Sequence, residues 1–202
     1  MFKYIKLIKN IVINYKFSTF EVLLYELIFS IFYKREFNKF KYLNNNVYSD
    51  SIPCPFLFLI KIKKFIILNK IEKICDLGSG YGKILYYFGK ILKYKIDGVE
   101  IDPIIYKFSA VLKNEKINIY NEDIFKFNLK RKNYNLFILN DPLKKKKDLL
   151  KLITKINNNF SNIFLIFINL DSGKIQIVKK NLLIINKFSA SINKNILFCK
   201  NA

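Results

Sequence analysis

The chain has 202 residues, is 51% hydrophobic, and carries a formal net charge of +21 with no histidine. That length suits one well-buried domain rather than two, and the lack of imidazole excludes a Ser-His-Asp triad, a Cys-His pair, a His-ligated metal and a histidine general base. Cys54, Cys75 and Cys199 are far apart and form no CxxC, which argues against a metal site or a disulfide framework and for a reducing, cytoplasmic setting.

Nearly all of the positive charge is lysine, with arginine only at positions 35 and 131. Lysine together with abundant Ile, Asn, Phe and Tyr is the output of A+T-rich codons, so the charge reads as genome bias as much as a polyanion signal. RNA binders use arginine for bidentate phosphate contacts and planar stacking.

In chain order, Phe2, Ile5, Ile8, Ile11 and Val12 share one face of a predicted helix, with Lys3, Lys6 and Lys9 away from it. Ser18 and Glu21 form a capping box for a second helix, in which Phe20, Leu23, Leu24, Leu27, Ile28 and Ile31 recur at helical spacing. Glu21, Glu26 and the length of the run argue against a membrane span, and no small-residue cleavage site follows. Residues 1–48 therefore read as a helical extension that packs on the core or lies on a membrane surface, and residues 49–202 as an α/β domain. A polar, turn-rich loop closes at Pro53 and Pro55, and "FLFLIKIKKFIILN" is the next helix.

From Ile71 short apolar runs alternate with helical stretches. "KICDL", "KIDGVEI", "INIY", "YNLFILN" and "NIFLIFINL" are strands, and "YGKILYYFGKILK", "PIIYKFSAVLKN", "KKKKDLLKLITKIN" and "GKIQIVKK" are helices. "NLLIINKF" and "NILFCK", joined by the polar "SASINK", form an antiparallel hairpin. The fold class is α/β: a Rossmann-like, seven-stranded, mostly parallel sheet with a C-terminal antiparallel hairpin and an N-terminal helical extension. Ligands of such sheets sit at the carboxyl ends of the strands.

The run Asp76-Leu77-Gly78-Ser79-Gly80-Tyr81-Gly82 follows the first strand. It lacks the spacing of a P-loop, and its third glycine arrives one residue too early for a dinucleotide fingerprint. Gly78 and Gly80 let backbone N–H groups approach a ligand closely, and the loop by itself leaves that ligand open. Glu100 ends the second strand, where a carboxylate can accept from both ribose hydroxyls. Asp123 follows the third strand, where it can accept from an adenine amino group with Ile124 against the ring. Asn140, Asp141 and Pro142 end the fourth strand at the same rim.

The series "DLGSGYGK", "GVEIDP", "NEDIF" and "LNDP" resembles the class I S-adenosylmethionine-dependent methyltransferases over about Pro53 to Cys199. It is most similar to small members with a DLGSG loop, including Dot1-like and ATP-synthase-subunit-directed lysine methyltransferases. The resemblance implies S-adenosyl-L-methionine as cofactor, with no metal. Asp76 and the backbone of Gly78, Ser79 and Gly80, in a loop completed by Gly82, would hold its methionine end. Glu100 would hold the ribose, Ile101 would lie against the adenine, and Asp123 and Ile124 would complete that pocket. Asn140 matches the first residue of the [DN]PP[YF] motif that orients an acceptor nitrogen, and Asp141 is a candidate to assist proton loss. Asp141 replaces the first proline of that motif and Leu143 its aromatic, which is the stacking platform for a flipped base. The expected acceptor is therefore a nitrogen, with a protein lysine first and RNA second. "SIPCP" resembles the proline-containing stretch that precedes the glycine loop in the lysine-directed enzymes, where it could form part of the substrate wall. A non-catalytic basic module that binds RNA or membrane is the alternative from another class, and a nicotinamide-dependent reductase is the weakest.

Overall fold

The computed structural model describes residues 17–33, 37, 39–43, 45–191 and 194–201. The expected helix at residues 2–12 and the side chain of Ser18 in the capping box lie outside what is described. Helix α1 spans Phe17–Phe32 and α2 spans Phe56–Leu68. The sheet region then runs β1 (Lys73–Leu77), α3 (Lys83–Leu85, continued by a π-helical stretch Tyr86–Ile91), β2 (Lys95–Val99), α4 (Pro103–Ser109) and β3 (Ile117–Tyr120). It continues with β4 (Leu136–Asn140), α5 (Lys146–Asn157), β5 (Phe164–Ile168), α6 (Ser172–Asn181), β6 (Leu183–Ser191) and β7 (Lys194–Lys200).

The strands form one seven-stranded sheet in the order β3-β2-β1-β4-β5-β7-β6. β1 to β5 pair in parallel, and β7 pairs antiparallel with both β5 and β6. Alternate residues of each strand feed separate cores on the two faces, Ile74, Ile96 and Ile138 on one and Cys75, Phe137 and Leu139 on the other. The strand order reverses between β1 and β4, so the crevice at their carboxyl ends is the ligand position for this topology. The expected fold class, with its terminal hairpin, is the observed one.

Two details differ from the sequence expectation. The polar "SASINK" is largely strand, with Ser189 opposite Asn195 and Ser191 opposite Lys194. The third helix widens into π geometry at Tyr86–Ile91, where a Cβ on Gly89 would sit 2.4 Å from Ile117. Only a glycine lets that turn press so closely on the sheet.

Helix α1 docks by a different face from the one its longest apolar stripe marks. Val22 and Phe29 are buried, whereas Phe20, Leu23, Leu24, Leu27 and Ile31 are exposed. The buried face also carries Glu26, whose Oε1 accepts from the Phe56 N–H at the start of α2. A carboxylate that caps another helix adds a polar anchor to the face on which Val22 and Phe29, with Tyr25 and Ile28 beside them, meet the core. No helix among the described residues is long and apolar enough to cross a membrane.

Between α1 and α2 the chain folds back over the carboxyl rim of the sheet. Lys41 and Ser51 exchange backbone hydrogen bonds, Ser49 N donates to Pro142 O at 3.0 Å, and Lys144 N donates to Val47 O at 2.8 Å. Lys144 Nζ donates to Asn45 O at 2.6 Å, so this first lysine of the 144–147 run holds the strap down. Lys41 Nζ reaches Asp102, after β2, at 2.8 Å. The expected division between residues 48 and 49 lies within this strap.

Candidate active site

The strap, the loop after β1 and the turn after β4 enclose a cleft of about 640 Å³, counted to its open mouth. Gly78, Ser79, Gly80, Glu100, Ile101 and Asn140 all line it, so six of the expected site residues converge. Ser51, Ile52, Pro53 and Cys54, four of the five residues of "SIPCP", also line it. Burial pushes the Cys54 thiol up, so no thiolate nucleophile faces the cleft.

The loop is built from local hydrogen bonds. Gly78 N and Ser79 N both donate to Val99 O at 2.9 Å, which ties the end of β1 across to the end of β2. Gly78 takes φ +84°, and a Cβ there would meet the Pro142 Cβ at 2.6 Å. The first glycine is thus required by the turn that carries Asn140. Gly82 does not line the cleft; a Cβ on it would meet Leu112 and Ser109, so its role is to let the start of α3 pack beneath α4.

Glu100 is buried and its carboxylate grips backbone. Oε2 accepts from Gly80 N at 2.8 Å and Oε1 from Asp102 N at 2.9 Å. Burial raises the Glu100 carboxyl, while those N–H groups pull it down. Each oxygen keeps a lone pair for a hydroxyl of a ligand. Asp76 lies under the loop, fully buried, and neither of its carboxylate oxygens has a hydrogen-bond partner. Burial, with the Glu100 charge second, pushes its carboxyl well above the ordinary range.

Asp123 and Ile124 stand behind the wall of the cleft. Asp123 Oδ1 accepts from Phe125 N at 2.8 Å, and Ile124 is buried in the core shared by Tyr48. Tyr48 lines the cleft, and burial, reinforced by the nearby Asp123 carboxylate, raises its phenol. The strap thereby places an aromatic ring in the cleft, beside the segment that carries Asp123 and Ile124.

Asn140 is fixed at both ends of its amide. Nδ2 donates to Ile52 O at 2.6 Å, and Oδ1 accepts from Asn169 Nδ2 at 2.8 Å. Asp141 adopts φ 41° and turns away from the cleft. It accepts from the buried Lys174 Nζ at 2.6 Å, yet burial outweighs that cation and raises its carboxyl. Tyr48, Asn169 and Lys174 escaped the sequence reading because each reaches the site from a distant segment with no local motif.

Lys83, at the start of α3, also lines the cleft and is 3% exposed. Its ammonium lies 2.9 Å from Glu26 Oε2 and 4.5 Å from the Phe29 ring centroid, and burial lowers its pKa. Glu26 thus joins α1, α2 and the wall of the cleft. Replacing Glu26 with glutamine should lower stability by roughly 1–3 kcal/mol, less than a fully buried pair because Glu26 is 25% exposed. Thermal denaturation checks this, and adding Lys83→Met to Glu26→Gln should recover most of the loss.

A sequence model of ribosomal RNA adenine dimethylases matches residues 32–193, from the last residue of α1 through β6. The chain belongs to the ribosomal RNA adenine dimethylase family. No curated protein sequence matches it. Among solved structures, this dimethylase-family chain resembles an RNA methyltransferase from Salinibacter ruber with S-adenosyl-L-homocysteine (TM-score 0.57, 15% identity, 74% of this chain and 94% of that one). It also resembles the N-methyltransferase NodS from Bradyrhizobium japonicum WM9 (TM-score 0.58, 12% identity, 72% and 86%). A point mutant of MtNAS gives a TM-score of 0.55 at 12% identity over 72% of this chain, which spans 60% of MtNAS.

That family is one of S-adenosylmethionine-dependent methyltransferases. The residues present fit that cofactor on their own chemistry. The unpartnered Asp76 carboxylate suits a cationic amino group, and the buried, unbonded Ser79 hydroxyl suits a carboxylate. Glu100 retains acceptor capacity for hydroxyls at the cleft wall.

Proposed function

We propose that this dimethylase-family chain methylates the exocyclic amine of adenine in RNA. Membership of a family described by that reaction supports the acceptor, and the fixed amide of Asn140 at the cleft is the observation that carries the chemistry. The bound cofactor supplies an electrophilic methyl group. Asp76, Ser79 and the loop backbone would hold its amino-acid end, Glu100 its ribose, and Ile101 with Tyr48 its adenine; Asp123 and Ile124 would back that pocket.

An adenine amine is a weak nucleophile because its lone pair is delocalised into the ring. Accepting one of its N–H bonds at Asn140 Oδ1, which has a second lone pair beside the one used by Asn169, would aim the nitrogen lone pair along the displacement axis. Such positioning needs no strong base, which accords with a chain lacking histidine. Asp141, engaged by Lys174, would position the turn rather than take the proton. Leu143, in place of an aromatic, is buried and pairs with Tyr48 across the strap. With Tyr48 at the cofactor's adenine, Tyr81 and Phe37 are the other aromatic side chains that line the cleft.

The test is transfer of labelled methyl from S-adenosylmethionine to structured RNA, to the same RNA with adenine replaced by inosine, and to lysine-rich peptides. Label on the adenine-containing RNA alone is expected. Label on peptide instead would restore lysine as the acceptor. Asn140→Ala should reduce kcat by about 10²–10³ with cofactor affinity unchanged within about twofold.

A further inference from the structure

A second cavity, of about 330 Å³, opens at the opposite, amino-terminal end of the sheet. Three neighbouring parallel strands start there with a lysine in the same register. Lys73 of β1 is directly opposite Lys95 of β2, and Lys116, whose carbonyl accepts from Ile96 N, continues the row at the start of β3. In-register side chains on adjacent strands are about 4.8 Å apart. Like charges so placed repel one another and lower the stability of the sheet.

The acidic groups facing the row do not neutralise it. Asp97, at the floor, accepts from Tyr134 Oη at 2.6 Å, Asn118 Nδ2 at 3.1 Å and Tyr120 Oη at 3.3 Å, and it pairs with Lys132 at 3.2 Å. Glu115 is an exposed carboxylate at the rim. Among the described residues, none of Lys73, Lys95 and Lys116 is in an ion pair. Lys73, Lys95, Lys116 and Lys132 line one cavity against two carboxylates, Asp97 and Glu115, which leaves the cavity net positive.

The row is also connected to the active-site rim. The β3–β4 connection is a chain of turns that starts beside Asp123 and descends to Tyr134, carrying Lys126, Lys130, Arg131 and Lys132. Arg131 lies over the Tyr120 ring at 4.3 Å and pairs with Glu122 at 3.6 Å, which holds its planar cation along this path.

We propose that Lys73, Lys95 and Lys116 form a phosphate-binding row that holds the backbone of the RNA substrate at a distance from the methylated base. The inference rests on the RNA reading above and adds a binding site to it. Lysines on adjacent strands with no base-reading partner would contact phosphates without sequence preference and release counterions on binding.

The test is fluorescence anisotropy of a labelled, structured RNA with the full chain, titrated from low to high salt. The triple variant Lys73→Gln, Lys95→Gln, Lys116→Gln is compared with Lys147→Gln, Lys179→Gln, Lys180→Gln, three exposed lysines on α5 and α6. The first variant should flatten the slope of log affinity against log salt by about 2, at roughly 0.7 to 0.9 per phosphate contact, and weaken binding about tenfold or more at 0.1 M salt. The control should move far less, and both should keep the wild-type affinity for S-adenosylhomocysteine, which also reports that they fold. RNA binding by the unsubstituted chain that falls equally in both variants, or in neither, overturns the row and leaves the RNA reading intact. No RNA binding by the unsubstituted chain overturns both.

Discussion

Replacing Asp76 with asparagine should make the cofactor-free protein more stable at pH 8 and cofactor binding weaker by about 10- to 100-fold. Asp76 is buried with neither oxygen bonded, so its charge is disfavoured in the folded state. Its folded pKa is raised above the unfolded value, so between those two values the native state binds more protons than the unfolded chain. Stability from this group is therefore present at acid pH and is lost as pH rises from about 4 through the folded pKa. Asparagine cannot ionise, and the gain over wild type should grow with pH across that window and vanish near pH 4. A gain of 1 kcal/mol corresponds to roughly 2–4 °C in a chain of this size.

The affinity loss has the opposite cause. An ammonium group meeting an ionised Asp76 forms a charge-assisted hydrogen bond of about 1.5–3 kcal/mol. Binding should also release a proton from Asp76, seen as a calorimetric enthalpy that depends on the buffer. A variant that is no more stable at high pH, or that binds cofactor as the wild type does, would remove Asp76 from the site.

Gly78→Ala should disable both binding and transfer. The added methyl would lie 2.6 Å from the Pro142 Cβ, on a ring that cannot swing aside, at a φ of +84° that L residues rarely adopt. Strain of roughly 1–3 kcal/mol in the loop would be accompanied by displacement of the β4 turn, which carries Asn140. Affinity for S-adenosylhomocysteine and kcat should fall together, in contrast to Asn140→Ala. Near-normal kcat at saturating cofactor would show that the glycine loop and the β4 turn are not mechanically joined.

The sheet and the cofactor loop were legible because their signals are local. "KICDL" ahead of three glycines, and strand ends at Glu100 and Asn140, need only a few consecutive residues to be read. What escaped depends on contacts between distant segments. Asn140 was visible, but not Asn169, which lies 29 positions away and fixes its amide. Asp141 was visible, but not Lys174, 33 positions on, which turns it away from the cleft. Of the stripe Phe20, Leu23, Leu24, Leu27, Ile28 and Ile31 only Ile28 packs on the core, beside Val22 and Phe29, while Glu26 on the docked side reaches the start of α2 and Lys83. The expectation of a lysine acceptor leaned on Leu143 standing where an aromatic belongs, and the strap that brings Tyr48 opposite it leaves no trace in the local sequence.

The strand order also sets a timetable for biosynthesis. β7 lies between β5 and β6, although it is the last of the three along the chain. When β5 leaves the ribosome its outer edge therefore has no partner until residues 194–200 follow, roughly thirty residues later. At about 5–20 residues per second that interval is roughly two to six seconds. Throughout it the apolar Phe164–Ile168 edge is open to neighbouring nascent chains, and β6 joins the sheet only when β7 pairs between it and β5.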